Sequence, residues 1–423
     1  MNKSESLGLS RALWILVVCG CLIGFLAFGI RSSFGLFVDP VSGNGADAFG
    51  FGREAFAFAL AIQNLAWGVG QPLAGAIADR YGPWRVIAGG GVLFSLGLLT
   101  MTMASDPTSF TLTAGILVGL GMSGAGHNTV LAAFGQLLPP ERRAWALGLG
   151  TATASLGQFL VVPLGQAFIE GYGWAGAAVI MAIAVASTPL LALALRPRSL
   201  KAGETPKAVT PTTSTAPTLN VALGQAFGYN SYWLLLSGFF VCGFQLAFIT
   251  VHLPPYLNDQ GISASTASWA IALIGLFNVV GGYASGMLSS RMPRRMLLVY
   301  IYLARAIVTT AFLVLPLTNA STLVFGAFMG LLWLSTVPPT VQLVGVMFGN
   351  RFLSTLFGFV FLSHQVGAFV GVWAGGLLFA RLGSYDLVWW GSVGLSIFAA
   401  LVHLPIREKL YPRAAPTPTP SVA

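Results

Sequence analysis

Gly75-Ala76-Ile77-Ala78-Asp79-Arg80-Tyr81-Gly82-Pro83-Trp84-Arg85 sets three charges and a Gly-Pro turn between two long apolar runs, near 54–78 and 84–104. Gly75 allows close helix contact. Asp79 can cap a neighbouring helix end and pair with an arginine across the half, a contact that closes the cytoplasmic side and can break when the halves rock. A degraded copy stands at Gly286-x-x-Ser289-Ser290-Arg291-Met292-Pro293-Arg294-Arg295, where Ser290 replaces the carboxylate. Gly75, Asp79, Arg80 and Arg291 are therefore expected at a gate. The alternative is a basic loop that only fixes topology.

On either side of these loops the chain is almost uniformly apolar. Of its 423 residues 56% are hydrophobic and 8% charged, with mean hydropathy +0.80, whereas a soluble domain carries about 25% charged residues. Thirty Phe and eleven Trp could not all be hidden from water in a soluble chain of this size. Apolar runs fall near 12–37, 54–78, 84–104, 108–135, 144–169 and 173–195, then near 231–257, 265–289, 296–316, 320–347, 354–380 and 384–405. Each can cross a hydrocarbon core as one helix of roughly 20–25 residues. The expectation is an all-α membrane protein of twelve transmembrane helices, with six-helix halves at 1–195 and 229–408. Residues 196–228, rich in Pro, Thr and Ala, read as a disordered cytoplasmic linker, and 409–423 as a disordered tail. The first run is too long for a signal-peptide core and stays as the first span.

Orientation follows from the cations. With the N-terminus inside, the inner loops collect Lys3, Arg11, Arg80, Arg85, Arg142, Arg143, Arg196, Arg198, Lys201, Lys207, Arg291, Arg294, Arg295, Arg351, Arg407, Lys409 and Arg413. Arg53 and Arg381 fall outside, and Arg31 and Arg305 within spans. Cytoplasmic loops carry such an excess, so both termini are expected in the cytoplasm. The net charge of +9 is then topology, not a nucleic-acid footprint. Cys19, Cys21 and Cys242 lie in apolar runs with no metal-ligand spacing. No nucleophile–base pairing appears, and no Gly-rich Lys-Ser/Thr loop for a nucleotide. No enzyme activity, metal or cofactor is expected.

GAIADRYGPWR resembles the loop signature of the major facilitator superfamily, and twelve spans in two pseudo-symmetric halves fit that family over the whole chain. ERRAWALGLGTATASLGQ followed by EGYGW resembles the fifth-span region of its monocarboxylate porter and oxalate/formate antiporter group. The resemblance implies alternating access around one midplane site, in a bacterial inner membrane, by a functional monomer. This chain departs from the group where Cys19-Gly20-Cys21-Leu22-Ile23-Gly24 replaces an acidic-Gly-aromatic motif. In the eighth span Asn278 takes the place of an Asp and Gly282 that of a substrate-binding Arg. Ser363-His364-Gln365 stands where oxalate-type members carry a Lys.

Within the spans the polar residues are few. Arg31 on the first span is either a site or gate residue, or a snorkelling side chain that reaches the outer interface or Asp39. Arg305 on the ninth is either a substrate contact or bonded to backbone carbonyls. The uncharged set is His127, Asn128, Gln245, His252, Asn278, His364 and Gln365, with Gln63, Asn64 and Gln158 beside them. Each is a helix-to-helix tie or a ligand contact. Trp333, next to the Pro338-Pro339 break, with Phe244, Phe248 and Phe277, can wall a site. The substrate-binding candidates are Arg31, His127, Asn128, Gln245, Asn278, Trp333, His364 and Gln365. The glycines of the fourth span, Gly115 to Gly126, read as packing surface.

These residues point to a secondary transporter of a small organic metabolite. A neutral polar heterocycle of the riboflavin kind, suited to amides, imidazoles and aromatic faces, is taken ahead of a monocarboxylate or related anion bound by Arg31 or Arg305. A non-transporting sensor with this fold would need a signalling domain. If transport is proton-driven, the span histidines are the candidates, because an unperturbed imidazole titrates near pH 6.5. His364 is chosen among them.

Overall fold

Inside hydrocarbon a backbone must satisfy its own N–H and C=O groups, and long apolar runs do so as helices. The computed structural model describes residues 11–43, 49–196, 219–349 and 352–411, and among these there is no strand. Ten segments are long and apolar enough to cross a membrane unaided. One of them, Trp145–Leu195, is 51 residues long and turns at Gly173 (φ 70°, ψ 170°), a backbone state that favours glycine. It therefore supplies both the fifth and sixth spans. The 30-residue helix Gly52–Tyr81, made less apolar by Gln63, Asn64 and Gln71, supplies the second.

The twelve spans are thus Arg11–Ser42, Gly52–Tyr81, Pro83–Met101, Pro107–Leu137, the two within 140–195, Asn230–Asp259, Ala264–Leu288, Arg294–Val314, Asn319–Phe348, Leu353–Leu382 and Asp386–His403. They form two six-helix halves. An even number of crossings brings the start and end of each half to one face, which carries Arg80, Arg85, Arg142, Arg143, Arg291, Arg294, Arg295 and Arg407. This is the basic face, and its opposite is the far face. A helix at Leu219–Phe227 lies inside the stretch expected as linker. Residues 197–218 of that stretch and 412–423 of the tail lie outside the described residues.

The fourth and tenth spans, which match under the internal repeat, share two local devices. Each starts with a capping box, Asp106 with Ser109 and Thr318 with Ser321, worth about 1 kcal/mol each. Each is also broken midway. The fourth loses its helix at Gly126 (ψ 164°) and restarts at His127. The tenth stops after Leu332 and restarts at Val337, so Pro338 and Pro339 do not make the break. They stand in the first turn of the new helix, where a missing N–H leaves no bond unmade.

Candidate substrate cleft

The two halves meet at the far face. The Arg53 guanidinium donates from Nε to Asp39 Oδ1 at 2.9 Å, from Nη2 to Asp259 Oδ1 at 2.7 Å, and from Nη1 to Asp259 Oδ2. Asn258 Nδ2 donates to the other Asp39 oxygen at 2.9 Å, and Arg53 also covers the Phe379 ring at 4.4 Å. Asp39 and Arg53 belong to the first half; Asn258, Asp259 and Phe379 belong to the second. Deeper in, Gln158 Nε2 donates to Ile271 O at 3.0 Å and Asn278 Nδ2 to Ser155 Oγ at 2.9 Å, both across the seam. Close backbone approach seals this region. A Cβ at Gly68 would lie 2.6 Å from Gln365 Cβ, and one at Gly275 would lie 2.8 Å from Ser155 O.

Toward the basic face the seam opens. The second span is largely buried from Phe56 to Gly68, yet Pro72, Leu73, Ala76, Ile77, Arg80 and Tyr81 are exposed. The eighth span changes in the same way past Asn278, with Val279, Val280, Tyr283, Ala284, Met287 and Leu288 exposed. A Cβ on Gly75 or Gly286 would meet nothing within 4 Å. Among the expected gate residues, Gly75 therefore makes no close helix contact here. Arg80 lies 5.3 Å over the Tyr81 ring, Arg291 lines a pocket on the basic face, and the Asp79 side chain lies outside the described residues. The charged contact that joins the two halves is instead the Arg53 clamp. Its trace in the sequence is that Arg53 is the one cation, set among the acids Asp39, Asp47, Glu54 and Asp259, at the far ends of the first, second and seventh spans.

The two broken helices differ in how their freed backbone groups are met. At the tenth, Arg305 donates from Nε and Nη2 to Leu332 O (3.2 and 2.7 Å), from Nη2 to Trp333 O, and from Nη1 to Gln245 Oε1 at 3.3 Å. Leu334 N donates to Asn278 Oδ1 at 3.0 Å, and Ser285 Oγ donates to Ser335 O. Gln245 Nε2 is in turn held by Ser392 Oγ at 3.2 Å and by Ser396 Oγ. Arg305 is fully buried and bonded to carbonyls. Gln245, Asn278 and Trp333 all belong to this framework and lie in the packed second half.

The fourth-span break has a lighter frame. Thr129 Oγ1 donates to Ser123 O at 2.8 Å and accepts from Gln71 Nε2 at 3.2 Å, and Gln71 Oε1 accepts from Trp67 Nε1 at 3.0 Å. His127 Nδ1 is buried with no hydrogen-bond partner, and its ring sits 6.0 Å from Phe28. Asn128 is half-buried beside it.

Between this break and the second half stands Arg31. It donates from Nη2 to Asn64 Oδ1 at 3.1 Å and lies 4.8 Å over the Trp67 ring. No carboxylate pairs with it among the described residues, since Asp39 is taken by Arg53. Asn64 O accepts from Gln365 Nε2 at 3.1 Å, and Gln365 Oε1 meets His364 Nδ1 at 2.9 Å. Phe361 stacks on His364 at 5.8 Å and meets Trp67 edge-on at 5.5 Å. Arg31, His364 and Gln365 are thus brought to one place from spans far apart in sequence, with Asn64, Trp67 and Phe361 completing the wall. Trp67 and Phe361 are not among the candidates that the sequence offers. Their spacing, one turn past Asn64 and one turn before Gln365, was the available signal. His252 takes no part: it is fully buried, its Nε2 meets Val372 O at 2.8 Å, and its Nδ1 meets Tyr385 Oη at 3.3 Å.

Two six-helix sets, clamped along one face and parted toward the other around a polar centre, have the architecture of a multi-pass membrane transporter. The chain belongs to the Major Facilitator Superfamily, whose family profile matches residues 16–371. It is 25% identical over 395 residues to the uncharacterized MFS-type transporter YcxA of Bacillus subtilis (strain 168), covering 89% of this chain and 91% of that one. It is 26% identical over 406 residues to monocarboxylate transporter 13 of Rattus norvegicus, covering 93% and 89%. In fold it matches the crystal structure of a D-xylose-proton symporter, with TM-score 0.72 at 16% identity over 94% of this chain and 98% of that one. It also matches a bacterial homologue of the human lysosomal transporter Spinster in an inward-facing, unoccupied conformation, with TM-score 0.71 at 15% identity over 94% and 97%.

Proposed function

We propose that this transporter carries a small organic anion of the monocarboxylate class by alternating access, with Arg31 as its counter-charge. The supporting observation is that Arg31 stands at the inter-half seam with one amide partner and, among the described residues, no carboxylate. A guanidinium inside a membrane costs at least about 2.5 kcal/mol, and an arriving carboxylate offsets that cost through a bidentate, charge-assisted contact. The likeness to monocarboxylate transporter 13 points the same way. The basic face is read as cytoplasmic, which makes the conformation inward-open and the Arg53 clamp an outer gate, in a bacterial inner membrane and as a monomer.

A neutral heterocycle of the riboflavin kind is the second reading, favoured by the flat faces of Trp67 and Phe361 beside two amides. Uptake into proteoliposomes separates the two. The anion reading expects labelled lactate or a related monocarboxylate to accumulate, and riboflavin neither to accumulate nor to compete. Accumulation of riboflavin without monocarboxylate uptake would replace the first reading by the second.

A further inference from the structure

The basic face holds a pocket that neither the cleft nor the clamp uses. It has a volume of about 750 Å³ and lies where the eighth and ninth spans and the end of the twelfth converge. Its lining includes five cations, Arg291, Arg294, Arg295, Arg407 and Lys409, against one acid, Glu408. That acid is already engaged: Glu408 Oε1 accepts from Arg295 N at 2.7 Å, and Oε2 lies 3.6 Å from Arg294 Nη1. Arg295 Nη1 donates to Leu404 O at 2.9 Å and to Ile406 O at 3.1 Å, closing the end of the twelfth span. Arg291, Arg407 and Lys409 are left with no carboxylate partner among the described residues. The chain beyond, 412–423, adds Arg413 and no acid.

We propose that this pocket binds the phosphate headgroup of an anionic phospholipid. Two properties of the site favour a lipid over a free anion. The pocket lies at the level where membrane helices end, and the flanking helices present exposed apolar side chains beside it: Met287 and Leu288 on the eighth span, Tyr300 on the ninth, Leu401 and Leu404 on the twelfth. A headgroup in the pocket would lay its acyl chains along those faces. Each cation near an anionic headgroup contributes about 1 kcal/mol, close to fivefold in affinity. The site also bears on gating, because its walls are the degraded loop copy itself, between the eighth and ninth spans, and the end of the second half.

The test uses the purified full-length protein in mixed micelles, titrated with phosphatidylglycerol or with phosphatidylcholine of the same chains. Retained lipid is read by native mass spectrometry, and protection by the unfolding temperature. The wild type is expected to prefer phosphatidylglycerol, and the triple variant Arg291→Gln, Arg407→Gln, Lys409→Gln to lose about a hundredfold of that preference. The charge-keeping pair Arg291→Lys, Arg407→Lys should retain it within a few-fold. The single Lys409→Gln, which cannot disturb the fold as the triple can, should lose about fivefold. Arg11→Gln with Arg85→Gln, on the same face of the other half, should leave it unchanged. A triple variant with undiminished preference overturns the proposal. So does inorganic phosphate that displaces the lipid at equal phosphate concentration, which would mark a free-anion site.

Discussion

Among the described residues two arginines, Arg31 and Arg305, lie away from the ends of the spans, and they are held in opposite ways. Arg305 makes four hydrogen bonds to three acceptors, two of them carbonyls released by the break in the tenth span. Arg31 makes one, to Asn64, and rests on an indole face. The first is a pin that replaces lost backbone bonding. The second has most of its five N–H donors still to fill. In a low-dielectric setting an unfilled donor set on a cation attracts an anion, whereas a filled one holds structure. The difference between the two halves is the same. The tenth-span break is fixed by Arg305, Asn278 and Ser285, while the fourth-span break is framed by Thr129 and Gln71 and leaves His127 Nδ1 unmet.

The largest effect is expected at Arg305. Arg305→Met strands Leu332 O, Trp333 O and Gln245 Oε1, and unsatisfied buried acceptors cost about 1–3 kcal/mol each. The expected result is a loss of roughly 3 kcal/mol or more, seen as a large fall in unfolding temperature and in folded yield. A variant that unfolds like the wild type would show that the break does not depend on this cation.

A smaller effect is expected at the far face. Arg53→Ala removes three charge-assisted bonds that exist only while that face is closed. It should move the conformational equilibrium toward far-face opening by about tenfold, or 1.4 kcal/mol, read as increased labelling of a cysteine placed at Ala264, which lines the pocket behind the clamp. Unchanged labelling would mean that apolar packing alone keeps the face shut.

Smaller still is the effect on exchange of His364→Gln. Because His364 reaches Arg31 only through Gln365 and Asn64, substrate exchange should change by no more than about twofold, within the reach of one lost hydrogen bond. Accumulation driven by a pH gradient should be lost. Retained accumulation would remove His364 from the proton path and leave His127, with its unmet Nδ1, as the next residue to test.

The spans were legible because a hydrocarbon core imposes length and apolarity on every helix that crosses it, and the cations sort by loop. The carbonyl-bonded alternative for Arg305 was legible too, since a cation so deep has few other partners. Which amides are ties was not. Asn278 finds Ser155 and Leu334 N, and Gln245 finds Ser392, Ser396 and Arg305; these contacts join helices more than fifty residues apart, and linear spacing carries no information about them. The break at Gly126 was hidden among glycines that read as packing surface. Pro338 and Pro339 drew attention to the right span, although the helix had already ended before them.

The central claim is that Arg31 serves the substrate and not the fold. Uptake of a labelled monocarboxylate by Arg31→Gln in proteoliposomes, measured together with its unfolding temperature, tests this most directly. A fall in uptake of about a hundredfold or more is expected, because an anion in a low-dielectric cleft is left without its cation, at a stability within about 1 kcal/mol of wild type. Wild-type uptake by a normally folded Arg31→Gln protein would contradict it.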